Sequence, residues 1–546
     1  MSRRPIGIGF SASVLALLCI GLAGCRNPSG VDSAMLSEQE MAGLQRIVPL
    51  SLEPMPADES DAVIPALDAA PPAEQLQLTL EECRATALRN NLDLRVELIT
   101  PTLANEAVRE AEARFEPSLF GNASYVRTET PTSTALDSSQ SKYVAADVGI
   151  NIPLRTGGRI TLDLPVSRSE TNNAFATLNP SYTSDFAVSM SQPLLRDGGV
   201  RANMHAIRIA RYQSQIVQAR TRLEVMYVIA AVDRAYWRLR AARRALQLRK
   251  NEYDLAVAQF QKAQRMVSAG VLPEVEVIRA QAGVAERVEG VIIADNELRD
   301  RERELKRVLN KRGLGVRSPT AVVPGTEPLA VQYRLDPDRL TEAALKNRME
   351  MLELELQIAQ DASTIDFNRT QALPVLALDY TYNVNGLGAA MHDSFDLLLD
   401  RRFDDHRVGL QFVLPLGNRA AKSRLRQAMF TKSQRLATRE SRRLEIQAEV
   451  AGALDQLEAN WQRILASRHS AALAKRNLEA EERQFALGLR TSTDVLDTQT
   501  RLADAELAEI RAEVEYQIAK VDLAFATGTL LGEAAVEWAP LVPDTD

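Results

Sequence analysis

Asp494 and Asp497 stand three positions apart, just after Gly488-Leu489-Arg490-Thr491, in a stretch with helical apolar spacing. Residues three apart on a helix share a face, so both carboxylates point the same way. Like charges so placed repel unless they are protonated, separated or bridged by cations. Copies of such a face gathered around an axis would stack into acidic rings that draw cations in. A plainer reading uses the same two residues: acids in the first turn of a helix complement its dipole. The two readings are compatible. Little else in the chain could do chemistry. His205, His392, His406 and His469 show no ligand spacing relative to one another. Asp393 and Asp396 lie near His392, and Asp404 and Asp405 near His406, but a metal needs three converging ligands. Neither a Gly-Lys-Ser/Thr phosphate loop nor a Gly-x-Ser-x-Gly elbow occurs. These residues point to no enzyme, no cofactor and no metal. Net charge is −7, from 65 basic and 72 acidic residues, which gives nucleic-acid binding no electrostatic support.

A different chemistry is written at the N-terminus. Arg3 and Arg4 precede an apolar run from Ile6 to Ala23 that ends Leu22-Ala23-Gly24-Cys25. A basic start, a short apolar core and small residues before a cut are features of a secretory signal. Leu-Ala-Gly-Cys resembles the bacterial lipobox, which implies cleavage before Cys25 and lipid on its sulfur, palmitate included. Arg26 rather than Asp follows, so the implied destination is the outer membrane. An uncleaved anchor helix is the alternative, but the run is marginal for a span of ~20 residues. Residues 1–24 are then a signal peptide and 25–75 a lipidated, Pro-rich tether. Cys19 leaves with the signal, so Cys83 is alone and reads as a small buried hydrophobe.

The elements that position the acid pair come in two copies. Gly270-Val271-Leu272-Pro273-Glu274-Val275-Glu276-Val277-Ile278-Arg279-Ala280-Gln281 aligns without gaps on Gly488 to Gln499, an offset of 218. Each copy interrupts a long, charged, helical stretch, and a glycine followed by a helix restart reads as the reversal of a helical hairpin. Val232, Ala235 and Leu239 meet Val450, Ala453 and Leu457 at the same offset, while Ala87 and Asn90 meet Ala344 and Asn347 at 257. The first half therefore carries 39 extra residues between Tyr125 and Val232. Long helices are expected over roughly 200–269 and 418–487, and shorter ones over 79–115, 274–309, 339–372 and 492–527. At 1.5 Å per residue the long helices reach ~105 Å, and the short ones stack end to end beside them. Val450, Leu454, Leu457, Trp461 and Ile464 step by four, three, four and three, which reads as a seam between helices. With 25% charged and 5% aromatic residues, narrow seams suit this composition better than wide cores.

Between the helices the period changes to two. Val148, Ile150 and Ile152 alternate with Asp147, Gly149 and Asn151, and Leu376, Leu378, Tyr380 and Tyr382 alternate with Ala377, Asp379, Thr381 and Asn383. Strands of a half-buried soluble sheet share this pattern, but apolar-out with polar-in is also that of a membrane barrel, whose tilted strands need only ~9–11 residues. The surplus in the first half contains the turn Thr156-Gly157-Gly158-Arg159 and a run from Ile160 to Val166, an additional strand pair over 154–185. The expectation is two wall strands per half, with the extra hairpin either in the wall or beyond it.

Read in order, Leu78-Thr79-Leu80-Glu81-Glu82, Ser191-Gln192-Pro193-Leu194-Leu195, Leu414-Pro415-Leu416-Gly417-Asn418-Arg419 and the Gly488–Gln499 turn resemble the TolC-type outer-membrane efflux proteins over about 79–530. The resemblance implies a mainly helical chain with membrane β-structure. Duplicated helical hairpins and about four strands per protomer would join a homotrimeric barrel and a periplasmic helical tunnel. Residues 76–310 and 339–530 would be the structural repeats, 311–338 an equatorial linker and 531–546 an acidic tail. The implied partners are outer-membrane lipid, a periplasmic adaptor and an inner-membrane pump; the implied role is an exit duct for efflux or type I secretion. The resemblance further implies a periplasmic gate of Asp494 and Asp497, with Arg490 bonded to Glu276, so that charge deletion at Arg490 makes the closed state leakier. Phe485 stands where a tyrosine donor is common. Gly270, Val271, Gly488 and Leu489 would be the tips that dock the adaptor. Two other classes compete. A periplasmic adaptor lipoprotein would carry one hairpin, and a coiled-coil scaffold would have unbroken heptads and no amphipathic strands.

Overall fold

The computed structural model describes residues 74–133, 137–271, 273–487 and 489–536. The signal peptide, Cys25, the tether to residue 73, Gly488 and the tail from 537 lie outside the described residues. The first repeat runs β1 (Gln75–Leu78), α1 (Leu80–Asn90), α2 (Leu92–Glu97), α3 (Thr100–Ala113), β2 (Ser118–Glu129), β3 (Gln140–Pro153), β4 (Arg159–Thr171), β5 (Ser181–Pro193), α4 (Val200–Asn203), α5 (His205–Ser268) and α6 (Val275–Leu309). Next comes β6 (Ala321–Pro324), within the 311–338 stretch, and then α7 (Pro337–Asn347), α8 (Met349–Gln371), β7 (Val375–Gly388), α9 (Met391–Asp400), β8 (Asp404–Val413), α10 (Arg419–Ala486), α11 (Ser492–Ala526) and α12 (Leu530–Glu533).

The duplication is visible in the caps. Thr79 caps α1 through a reciprocal pair with Glu82, and Asp336, 257 residues later, caps α7 from its carboxylate. The β2 and β7 strands start at the same offset, Ser118 and Val375, each one residue after a proline that cannot continue a helix. Each 11-residue opening helix stops at a residue with extended backbone, Asn91 or Arg348. The single expected helix over 79–115 is thus three pieces, and that over 339–372 is two.

The helices pack side by side in rows of four. Nearest the sheet the row is α3–α5–α8–α10; toward the other end it is α6–α5–α11–α10. The apolar stripes form the seams: Val225, Val232, Leu239, Val450, Leu457 and Ile464 are all buried. At mid-length the two repeats are joined by a parallel pairing of β1 with β6. The Tyr236 hydroxyl donates to the Leu78 carbonyl at 3.2 Å and accepts the Thr326 N–H at 2.8 Å, holding that pair on α5. One turn away, Arg84 makes a two-point contact with Asp233, Nε to Oδ1 at 2.8 Å and Nη2 to Oδ2 at 2.6 Å, with the Asp233 side chain fully buried.

Cys83 sits beside this pair with no exposed surface. Burial, helped by the charges of Glu82 and Asp233, pushes its thiol up to about 12. The thiolate is the reactive form, so iodoacetamide at pH 8 should leave Cys83 unmodified in the folded protein and alkylate it fully in denaturant. Native-state labelling, mapped by peptide mass, would contradict the burial.

The sheet departs from the expectation of two wall strands per half. It has six strands in the order β2-β3-β4-β5-β7-β8, and four of them come from the first half. The expected bounds of 154–185 hold only one complete strand, β4; its partner across the Gly157 turn is β3, which precedes them. Both lie in the wall: β3 and β4 pair from Ser141–Thr171 to Pro153–Arg159, and β4 pairs onward with β5. The reason is the shared alternation. Ile160, Leu162, Leu164 and Val166 continue one apolar face with Val148, Ile150, Val188 and Met190, so leaving the hairpin out would expose two apolar rows. Its turn is closed by Gly157 at φ +91°, where an added Cβ would lie 2.3 Å from the Asp197 carbonyl oxygen.

The α9 helix, between β7 and β8, has no counterpart among the expected elements. It lies on the apolar face over β5 and β7, where the Ser394 hydroxyl bonds Ser184. Gly386 makes that approach possible, since a Cβ there would sit 2.1 Å from the Ser394 carbonyl oxygen. No helix among the described residues is long and apolar enough to cross a membrane.

Candidate gate at the hairpin tips

Both long helices end in the same way. Gly270 adopts φ +74°, and the Val271 N–H bonds the Met266 carbonyl at 2.9 Å. At the offset of 218, the Leu489 N–H bonds the Gln484 carbonyl at 3.0 Å. A bond from the third residue past the helix back five positions satisfies one of the last free carbonyls, and at the first tip left-handed Gly270 makes the reversal. Val271 and Leu489 are left pointing into solvent, 62% and 72% exposed. The tip expected around Gly270, Val271 and Leu489 is therefore a compact reversal with an aliphatic end.

Behind it, Phe485 is buried with Leu478 and Val495, against Met266 of the other hairpin, and the Lys262 ammonium lies 4.9 Å above its ring. Where a tyrosine would donate a hydrogen bond, this chain packs an apolar ring and a cation instead.

The acid pair divides its tasks. Thr491 caps α11, accepting from the Asp494 N–H at 3.3 Å, while the Asp494 carboxylate accepts from the Thr491 N–H at 2.9 Å and hydroxyl at 2.8 Å. These bonds hold the Asp494 carboxyl below the usual carboxylate range. Because the folded value is depressed, the contribution of this cap is complete above about pH 4 and is lost as pH falls through the lowered value. Asp497, one turn further, is exposed. The helix-start reading is the one these bonds display: Asp494 completes the cap, and Asp497 is left on the surface one turn along.

The implied Arg490–Glu276 bond is not formed. Arg490 turns back onto its own hairpin, 3.1 Å from Glu481 and 3.0 Å from the Gln484 side chain. It is half exposed, and such a pair contributes only ~0–1 kcal/mol. Glu276 is buried; it accepts from Arg279 at 2.7 Å and from the Ser492 N–H of α11 at 3.2 Å. The acidic partner stands at the expected position, but its donor is the start of a helix on the other hairpin, where free N–H groups favour an anion. Local geometry decides this: Thr491 begins a helix at once, so the Ser492 N–H faces Glu276 while Arg490, still in the turn, points away.

A second link between hairpins is absent from the sequence-based expectations. Arg287 on α6 reaches Thr500 Oγ1 at 2.6 Å and the Leu496 carbonyl at 3.2 Å, both on α11. Its signal in the sequence is Gly283, one turn before it. A glycine inside a helix marks close approach, and a Cβ there would meet Leu496 Cδ1 at 2.8 Å. His392 and His406 take no part in the tips. His392 pairs with Asp393 at 2.9 Å, and His406 lies 3.0 Å from the Tyr380 hydroxyl and 3.6 Å from Asp404. No metal-ligand cluster occurs among the described residues.

Residues 159–311 and 340–529 match the family described as outer membrane efflux protein. Outer membrane protein TolC of Salmonella enteritidis is 28% identical over 211 residues, 36% of this chain and 42% of that protein. Its counterpart in Vibrio cholerae serotype O1 is 25% identical over 308 residues, 56% of this chain and 68% of that one. The chain thus spans under half the length of the first relative and about two thirds of the second. Among solved structures, the Campylobacter jejuni CmeC outer membrane channel is similar at a TM-score of 0.60 and 16% identity, over 88% of this chain and 94% of that one. At that identity the likeness is one of fold.

Proposed function

The chain belongs to the outer membrane efflux protein family, and from that premise we propose that it is the passive exit duct of a tripartite efflux or type I secretion system. The observation that carries this reading is the sheet. One face is apolar, the other is lined by Asp, Asn, Ser and Thr, and both edge strands, β2 and β8, are open along their length. In lipid an open edge leaves backbone groups unsatisfied, so the sheet is one sector of a wall that several copies close. Three copies is the number the family resemblance supplies. The repeats 76–310 and 339–530 are then two halves of each sector, joined by the 311–338 linker, and the rows of four helices line a tunnel below the barrel. Export energy comes from an inner-membrane pump, reached through an adaptor that docks on the aliphatic tips at Gly270, Val271, Gly488 and Leu489. An adaptor or a scaffold has no use for a two-faced sheet.

In this reading Asp494 and Asp497 form acidic rings at the tunnel entrance. The purified protein should give cation-selective channels in planar bilayers, blocked by divalent cations, and Asp494→Ala/Asp497→Ala should lose the block and weaken the selectivity. Channels with unchanged selectivity and block would remove the rings; absence of channels would remove the duct. Cys25 is proposed as the lipid-bearing residue that tethers the chain to the outer membrane. Metabolic palmitate labelling should vanish in Cys25→Ser, and persistence of the label would refute the assignment.

A further inference from the structure

We infer that the trimer closes an eighteen-stranded barrel, a mouth much wider than four strands per chain would give. The inference rests on the three-copy reading above and adds the bore. Six strands per sector is an even number: β2 runs away from the helices and β8 returns to them, so β2 of one copy meets β8 of the next antiparallel, as closure requires. These two edges, 12 and 10 residues long, are also the most exposed strands of the sheet.

The helix row shows where the extra strands enter. Its order α3–α5–α8–α10 follows the strands that each helix continues into, β2, β5, β7 and β8. The β3–β4 hairpin stands between β2 and β5 with no helix beneath it. A cleft of about 580 Å³ opens there instead, lined by Arg109 and Phe115 of the α3 end and by Leu154 and Arg155 of the hairpin turn. The turn is braced sideways. The Gly199 N–H bonds the Thr156 carbonyl at 2.9 Å, and Gln192 bonds Thr156 through both its side-chain atoms. Width agrees as well. Six strands at ~4.8 Å, tilted ~40°, span ~38 Å, the width of four helices at ~9–10 Å; four strands span ~25 Å. The wide sheet therefore sits on its helices without taper.

Eighteen strands enclose a backbone diameter of ~36 Å against ~24 Å for twelve, so the area more than doubles. The inner face carries short side chains, among them Asp147, Asp163, Asp185, Asp379 and Asp405 against Arg159 and Arg407. That is an open, hydrated, cation-favouring vestibule, and two of the five acids come from the inserted hairpin. Size selection is left to the hairpin tips, and the mouth passes bulky cationic solutes that a twelve-stranded ring holds back.

Single-particle imaging of the detergent-purified protein counts the strands directly, with eighteen in one ring expected. Deleting residues 134–172 removes the hairpin and keeps the alternation of strand directions. In bilayers, polyethylene glycols of ~10 Å radius added on the extracellular side should depress conductance of the natural chain and leave the deletion variant unaffected. A trimer with a twelve-stranded ring and the hairpin outside it would overturn the wide mouth while leaving the duct intact. A particle that is not trimeric would overturn the assembly itself.

Discussion

Arg84→Met lowers stability by about 3–5 kcal/mol, because it leaves the Asp233 carboxylate buried without its partner. The pair ties α1 to the middle of α5, beside the Tyr236 hydroxyl that holds the β1–β6 pairing. Its loss therefore loosens the joint between the two repeats rather than one helix end. The size of the effect comes from the asymmetry of buried pairs. Removing one charge strands the other, whereas replacing both with apolar groups of similar size is close to neutral. Arg84→Met/Asp233→Leu should accordingly recover most of the loss. Thermal or denaturant midpoints followed by helical circular dichroism give the order: natural chain, double variant, single variant. A single variant no less stable than the double one would mean that Asp233 is not held as the geometry has it.

The second large effect lies at the hairpin tips. Glu276→Ala/Arg287→Ala removes the two polar links described between α6 and α11, the carboxylate on the Ser492 N–H and the guanidinium on Thr500 and Leu496. The first loss leaves the buried Ser492 N–H without its acceptor, at ~1–3 kcal/mol. The second removes a charged donor from Thr500 and Leu496, which stay bonded to each other at 3.0 Å, at ~1 kcal/mol or more. If the entrance opens by moving one hairpin past the other, a shift of ~3 kcal/mol changes the open-to-closed ratio by about two orders of magnitude. Single-channel recordings should show long open dwells in this variant and nearly natural gating in Arg490→Ala, whose bonds stay within its own hairpin. The reverse pattern, with Arg490→Ala leaky and the double variant closed, would return the latch to Arg490.

Much of the fold is legible in the order of residues alone. The repeat at offsets of 218 and 257 locates both hairpins and the extra length of the first half, because a duplicated chain keeps its caps and turns in step: Thr79 with Asp336, Gly270 with Gly488. Apolar spacing identifies the seam through Val450 and Ile464, and alternation identifies the strand faces. The family resemblance, not spacing, marks Glu276 as an acidic partner for the other hairpin, and Glu276 does accept from the Ser492 N–H there. Arg490 is the wrong donor for it, since a residue's partner depends on where a turn aims its side chain within a few ångströms, and neither spacing nor charge encodes that. Arg287 does not stand out among many arginines: Gly283 marks the close approach one turn before it, but only the distance to Thr500 singles out the side chain.

Periodicity along the chain, then, determined that this protein consists of two helical hairpins and amphipathic strands, because burial on one face writes itself into every third, fourth or second residue. It could not determine how many strands share one wall. That number depends on pairing between segments far apart in sequence, where an inserted hairpin fits equally well in the sheet or beyond it until neighbours on both sides are in place. The tertiary structure decided it by bonding β3 to β2 and β4 to β5 along their length, since an unpaired strand with an apolar face has no stable place to stand.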